Sequence, residues 1–111
     1  MANTEKIFVD LNEDIVFAIE RIKNAEANNV IVIVPKSANV TSSLISLKLL
    51  SRQIAKSDKV ISIVTDDSVG QKLGEKAGLM VVENVQDIDA KVWEEAKSMK
   101  EEARANIEAS R

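Results

Sequence analysis

Residues that could bind a ligand follow the predicted strands of this chain at their carboxyl ends. The set comprises Asp10, Lys36, Ser37, Thr65, Asp66 and Asp67. Ligands of open parallel α/β sheets bind in the crevice at the carboxyl ends of the strands. Helix N-termini in the same place attract anions. This set therefore forms the candidate ligand-binding site.

The carboxylates of the set suggest a narrower hypothesis, a site for a hard cation. Asp10, Asn12 and the Asp66-Asp67 pair would offer the oxygen ligands that Mg²⁺ prefers. The simpler interpretation is that Asp10 ends a strand and that the turn before Ser68 leads into a helix capped by that serine. We adopt the simpler interpretation and predict no metal site.

The chain lacks the residue types on which most catalytic sites depend. It contains no His and no Cys, which excludes Ser-His relays, thiol nucleophiles, disulfides and structural zinc. It also has no glycine-rich phosphate loop of the GxGxxG or Walker type. The sequence therefore predicts no catalytic residue and no cofactor, and it argues against an enzyme without deciding the matter.

Hydroxyl residues precede the second predicted helix. The run Thr41-Ser42-Ser43-Leu44 resembles the phosphorylatable turn of anti-sigma-factor-antagonist (STAS) domains. The stretch from Val60 to Leu79, a strand and a helix followed by Ala-Gly-Leu, is similar to the end of that fold. The resemblance implies a phosphoserine switch at Ser42 or Ser43.

All three glycines of the chain lie in or next to the third predicted helix. Gly inside a helix costs roughly 1 kcal/mol relative to Ala, so a packing reason is expected. Gly70 and Gly74 share one helix face and would let the helix approach either the sheet or a partner helix. Gly78 is placed for a left-handed C-cap. With Trp93, the single tryptophan, Gly70 and Gly74 are the candidate interface residues.

Four predicted strands alternate with helices along the chain. The strands cover residues 6–11, 30–34, 60–64 and 79–82, and each crossover is long enough for parallel pairing. The predicted fold is a three-layer α/β/α, Rossmann-like or flavodoxin-like domain with a four-stranded parallel sheet, its strands in the order 2-1-3-4. Residues expected to be nearly buried are Ile7, Val9, Val32, Val34, Leu47, Leu50, Ile61 and Ile63.

The pattern changes near the end of the chain. Residues 1–96 read as one α/β domain, whereas residues 97–111 keep only a thin apolar stripe, Met99, Ala103 and Ile107, among charged residues. We expect this segment to be a charged helical tail or linker that projects from the domain or frays.

Composition limits the partners of the chain. Its formal net charge is −3, with Lys and Arg scattered, and aromatic residues make up 3%. Nucleic-acid binding normally needs a basic face and stacking aromatics, so none is expected. The longest apolar run, Val30 to Val34, is too short to span a bilayer, and the N-terminus lacks the apolar stretch of a secretion signal. We therefore expect a cytoplasmic domain without direct membrane contact.

A second family resemblance covers about two thirds of the chain. It rests on the runs Val32-Ile33-Val34-Pro35-Lys36, Leu47 to Arg52 and Ile61 to Asp66, followed by Ala77-Gly78-Leu79. These runs resemble the N-terminal α/β domain of uncharacterised, multi-domain bacterial proteins sometimes described as baseplate J-like. The resemblance implies a cytoplasmic domain that precedes a linker, a membrane segment and an exported region.

These observations favour a non-enzymatic interaction or regulatory module, a domain of a larger protein. Its partner would be another protein or a neighbouring domain, with weak self-association as a further expectation. Two alternatives stay open. One is a small phosphate- or nucleotide-binding domain using the strand ends, and the other is the STAS-like phosphoserine regulator.

Overall fold

The computed structural model describes residues 3–110, in which β-strands and α-helices alternate. The strands are β1 (Thr4–Phe8), β2 (Asn29–Ile33), β3 (Val60–Val64) and β4 (Val81–Val82). The helices are α1 (Ile15–Lys23), α2 (Leu44–Ala55), α3 (Ser68–Lys76) and α4 (Ala90–Ala109). Short 3-10 turns at Asn39–Thr41 and Val85–Asp87 precede α2 and α4.

The four strands form one parallel sheet in the order β1-β2-β3-β4, flanked by helices in an α/β/α arrangement. The predicted fold class is confirmed, but the predicted strand order 2-1-3-4 is wrong. β1 carries the charged residues Glu5 and Lys6 and pairs with β2 alone, which suits an edge strand. β2 and β3 are apolar at nearly every position, as strands buried on both faces are. The order therefore has no reversal, and no switch point lies between β1 and β3.

The core joins one face of the sheet to α1 and α2. All eight residues expected to be nearly buried are buried, from Leu47 at 0% to Ile7 at 6% exposure. They belong to one cluster with Ala18, Ile19 and Ile22 of α1 and Ile54 of α2. Central positions of the opposite face are also buried, Ile31 of β2 and Val60, Ser62 and Val64 of β3, and α4 contacts both β3 and α2.

The helix ends confirm one predicted cap and correct another. α1 is capped by Asp14 and begins only after a turn that follows β1, in which the Glu13 N–H donates to the Asp10 carbonyl at 3.1 Å. α3 is capped by Asp67 rather than by Ser68, which is the first helical residue. Gly78, with φ +83°, confirms the predicted left-handed C-cap, and Asp89 caps α4.

The charged C-terminal segment is helical, as expected, but it does not project from the domain. α4 is continuous across residue 97 and contacts both β3 and α2. Lys100 Nζ donates to the carbonyls of Ser57 and Lys59, both at 2.7 Å. Met99, Ala103 and Ile107 are half-buried, so the thin stripe packs against the domain beside the Lys100 hydrogen bonds. Within residues 3–110, no helix has the length and apolar content needed to cross a bilayer.

Candidate functional site

The loops after β2 and β3 meet through a backbone-to-carboxylate bond. The Ser37 N–H donates to Asp67 Oδ2 at 2.9 Å. Ser37 has φ 61°, the left-handed conformation that residues other than Gly, Asn and Asp seldom adopt. The loop is therefore held in an uncommon turn that presents its N–H to the carboxylate.

Asp67 satisfies three backbone donors at once. Besides Ser37, its carboxylate accepts from the N–H groups of Val69 at 3.0 Å and Gly70 at 3.4 Å. These bonds, led by the one from Ser37, lower the pKa of Asp67 below its usual 3.8, because they stabilise the charged form. Donors that would bind a ligand's phosphate at this helix N-terminus are thus engaged by a carboxylate of the chain itself.

Three further members of the predicted set, Lys36, Thr65 and Asp66, lie beside Ser37 and Asp67. Lys36 Nζ lies 4.0 Å from Asp66 Oδ2, an exposed pair, and the buried Thr65 accepts the Asp67 N–H at 3.2 Å. The structure therefore brings Lys36, Ser37, Thr65, Asp66 and Asp67 together.

Asp10 lies apart from this group at the end of β1, with β2 between it and β3. Its N–H donates to Glu13 Oε1 at 3.0 Å. The hypothetical cation site from both loops therefore does not assemble, and no group of three or more Asp and Glu residues within 3–110 is suited to hold a metal.

The hydroxyl cluster before α2 is divided between a buried and an accessible part. Thr41 is buried at 2% exposure. Ser42 is exposed, and its Oγ donates to the Asn39 carbonyl at 3.0 Å. Ser43 caps α2 by accepting the Ser46 N–H at 3.2 Å. Phosphorylation at Ser42 or Ser43 stays a prediction.

The glycine face of α3 is filled from within the chain. A Cβ on Gly74 would lie 2.6 Å from Val81 Cγ2, and one on Gly70 would lie 3.2 Å from Thr41 Cβ. Both glycines are buried, so the close approach that they allow is to β4 and to the 3-10 turn before α2. A partner helix would have to displace these contacts. Trp93 is half-buried in α4.

An aromatic surface at the end of β1 is the feature that the sequence analysis missed. Both phenylalanines of the chain are exposed there, Phe8 at 63% and Phe17 at 67%, with Leu11 at 49%. These three residues, here named the aromatic patch, line one open depression. A sequence signal existed for Phe17, which lies outside the buried stripe of α1 formed by Ala18, Ile19 and Ile22.

An ion pair fixes the frame of the aromatic patch. Arg21 Nη1 donates to both oxygens of Glu13, at 2.8 and 2.9 Å, and Arg21 Nη2 donates to the Phe8 carbonyl at 3.0 Å. The Glu13 side chain is only 8% exposed and also accepts the Asp10 N–H. Because the guanidinium binds Glu13 through Nη1 and the Phe8 carbonyl through Nη2, these charge-assisted bonds tie the end of β1 to α1 beside the exposed rings.

Comparisons with known proteins add no assignment. No family model, curated protein or solved structure matches the chain. The resemblances to STAS domains and to the baseplate J-like N-terminal domain therefore stay predictions, and the geometry of the site carries the functional argument.

Proposed function

We propose that this domain is a non-enzymatic interaction module that binds another protein chain through the aromatic patch. The observation that carries the proposal is the exposure of Phe8, Leu11 and Phe17 in one depression. Aromatic residues are enriched at protein interfaces because they bury a large area with few rotatable bonds. The two phenylalanines of the chain both lie on the surface, whereas the buried core is aliphatic.

The way in which polar groups are used at the strand ends supports a role without catalysis. Asp67 is engaged by three backbone N–H groups, and Lys36 lies beside Asp66. A phosphate or nucleotide at this point would have to displace the Asp67 carboxylate from Ser37 and from the start of α3. We therefore rank the phosphate-binding alternative second and the phosphoserine alternative third. We further propose that the protein is bacterial and that the domain is cytoplasmic, as the baseplate J-like resemblance implies.

The test places a photoreactive benzoylphenylalanine at position 17 in cells that make the protein. We expect discrete covalent adducts on irradiation, because the ring at this position would lie in the interface. The same label at Glu95, an exposed position on α4, is the matched control and should give none of these adducts. Phe8→Ser in the labelled chain should remove them. Equal adducts from both positions, or adducts indifferent to Phe8→Ser, would contradict the proposal.

A further inference from the structure

A second exposed apolar surface lies on α2 and has the opposite charge character. Ile45 is 81% exposed and Leu49 37%, and residues four apart share one helix face. Lys48 and Arg52, both exposed, flank them. Leu49, Lys48 and Arg52 line a depression completed by Ile107 and its neighbours on α4, with no acidic side chain among its lining residues. We name Ile45, Lys48, Leu49 and Arg52 the basic patch.

The aromatic patch, in contrast, has an acidic border. Asp10 and Glu13 line its depression, and the exposed Asp14 follows. Arg21 lines the same depression, but its charge is paired with Glu13. Asp10 is thus left to meet a cationic partner, together with the Asp14 oxygen that does not cap α1, while Lys6 lies on β1 outside the lining residues.

The partner of the aromatic patch is not a strand added to the edge of the sheet. The Val9 N–H donates to Ile33 of β2, so the backbone groups of Phe8 point away from β2, toward the open edge. The Phe8 carbonyl on that edge already accepts from Arg21. A strand that continued the sheet past Phe8 would have to break this bond. Insertion of side chains between the exposed rings needs no such change.

Resting on the proposed function, we propose that the occupant of the aromatic patch is the basic patch of a second copy of this chain. Aliphatic side chains at Ile45 and Leu49 would contact the rings of Phe8 and Phe17, and Lys48 and Arg52 would face Asp10 and Asp14. Complementary charge of this kind fixes partner and register. The two patches share no residue, so the contact is heterologous and each added copy leaves one patch of each kind free.

The experiment is a complementation between two variants, followed by sedimentation velocity at increasing concentration. Phe17→Ser removes the aromatic patch, and Ile45→Ser with Arg52→Glu removes the basic patch; Phe17 is 67% and Ile45 81% exposed and Arg52 is exposed, so folding should be retained. The wild type should form species beyond the dimer as concentration rises. Each variant alone should stay monomeric. An equimolar mixture should form dimers and nothing larger, because only one productive contact is left. Lys72→Glu, an exposed charge reversal on α3, should associate like the wild type.

The outcomes separate this inference from the proposed function. A wild type that stays monomeric at every concentration overturns the inference, while adducts at position 17 with a different protein would leave the proposed function standing. A dimer that is abolished by Phe17→Ser but not by the basic-patch variant would show aromatic patches meeting each other, which also overturns it. Absence of both association and adducts would overturn both.

Discussion

The two ends of the sheet are closed by side chains of opposite charge. At the carboxyl ends of the strands, where the helices begin, Asp14 and Asp67 accept backbone N–H groups. At the amino ends, where the helices finish, lysines donate to backbone carbonyls. Lys59 Nζ donates to Ala25 and Ala27 just beyond α1, and Lys100 Nζ donates to Ser57 and Lys59 just beyond α2. Each charge is opposite in sign to the partial charge of the helix end that it faces, which is the favourable arrangement.

The difference between the ends lies in the range of the contacts. The acidic caps accept mostly from N–H groups two or three residues away, as Asp14 does from Val16; the bond from Ser37 to Asp67 is the exception, since it spans 30 residues. The lysines reach across 32 to 43 residues of sequence, so they bind separate elements together. One end therefore defines where helices start, and the other holds the layers in place. At both ends the charged side chains stabilise the fold. A partner is therefore expected at the exposed patches.

Loss of Lys59 should give the largest effect among four substitutions that probe this comparison. Lys59→Met keeps the length of the buried side chain but leaves the Ala25 and Ala27 carbonyls without their donor. We expect a loss of about 1.5–3 kcal/mol in the free energy of unfolding, since bonds from charged groups fall in that range. Lys72→Met on the exposed face of α3 is the control and should change little. Urea titration measures both, and equal effects would show that the amino-end closure adds no stability.

Lys100 should matter less, because its side chain is only partly removed from water. The pKa of Lys100 is lowered from the usual 10.5, and burial is the largest cause of this shift. The ammonium nevertheless donates to two carbonyls. Lys100→Met should cost about 1 kcal/mol after solvent screening is allowed for. Lys97→Met, one turn earlier on the exposed side of α4, should be close to neutral by the same urea titration. A neutral Lys100→Met would mean that apolar contacts alone hold α4.

The sequence predicted the features of the fold that depend on local pattern and missed those that depend on contacts between distant elements. The four strands, the alternation of helices and the buried positions such as Leu47 and Ile63 follow from local periodicity, and all are confirmed. The strand order and the position of α4 depend on contacts between distant elements, which periodicity does not encode.

The candidate site shows the same limit. Five of the six predicted ligand-site residues do meet, because strand ends converge at one edge of the sheet. The sequence did not predict that these residues bind one another, that Lys59 is buried or that Phe8 is exposed. These features are visible only in the structure.

At the carboxyl ends of the strands, the pH dependence of stability should show what the Asp67 charge contributes. Its folded-state pKa lies below 3.8, so the stability that it contributes is complete above that value and is lost as the pH falls through the folded pKa. Asp67→Asn should therefore lower the melting temperature at neutral pH, and the gap to the wild type should narrow below pH 3.8. Asp66→Asn, at the neighbouring exposed carboxylate, is the matched control. A gap that stays constant across this range would show that the Asp67 charge is not what closes the loop.

Between the two closed ends, Ser62 in the middle of β3 should give the smallest effect, and one of opposite sign. Its side chain is 0% exposed, and its Oγ has no hydrogen-bond partner among the residues that the structure describes. A buried hydroxyl without a partner costs free energy that folding does not recover. Ser62→Ala should therefore stabilise the domain by up to about 1 kcal/mol, since the gain is partly offset by the loss of one packed atom.

Ser57→Ala is the matched control for this change. The Ser57 Oγ donates to Ile54 at 2.8 Å and accepts the Lys59 N–H at 3.0 Å, so its removal should destabilise, by about 0.5–1.5 kcal/mol. Thermal and urea unfolding of both variants would show whether the signs differ. Destabilisation by Ser62→Ala of the same size as by Ser57→Ala would mean that the Ser62 hydroxyl has a partner, such as a buried water, and that the middle of the sheet is satisfied like its ends.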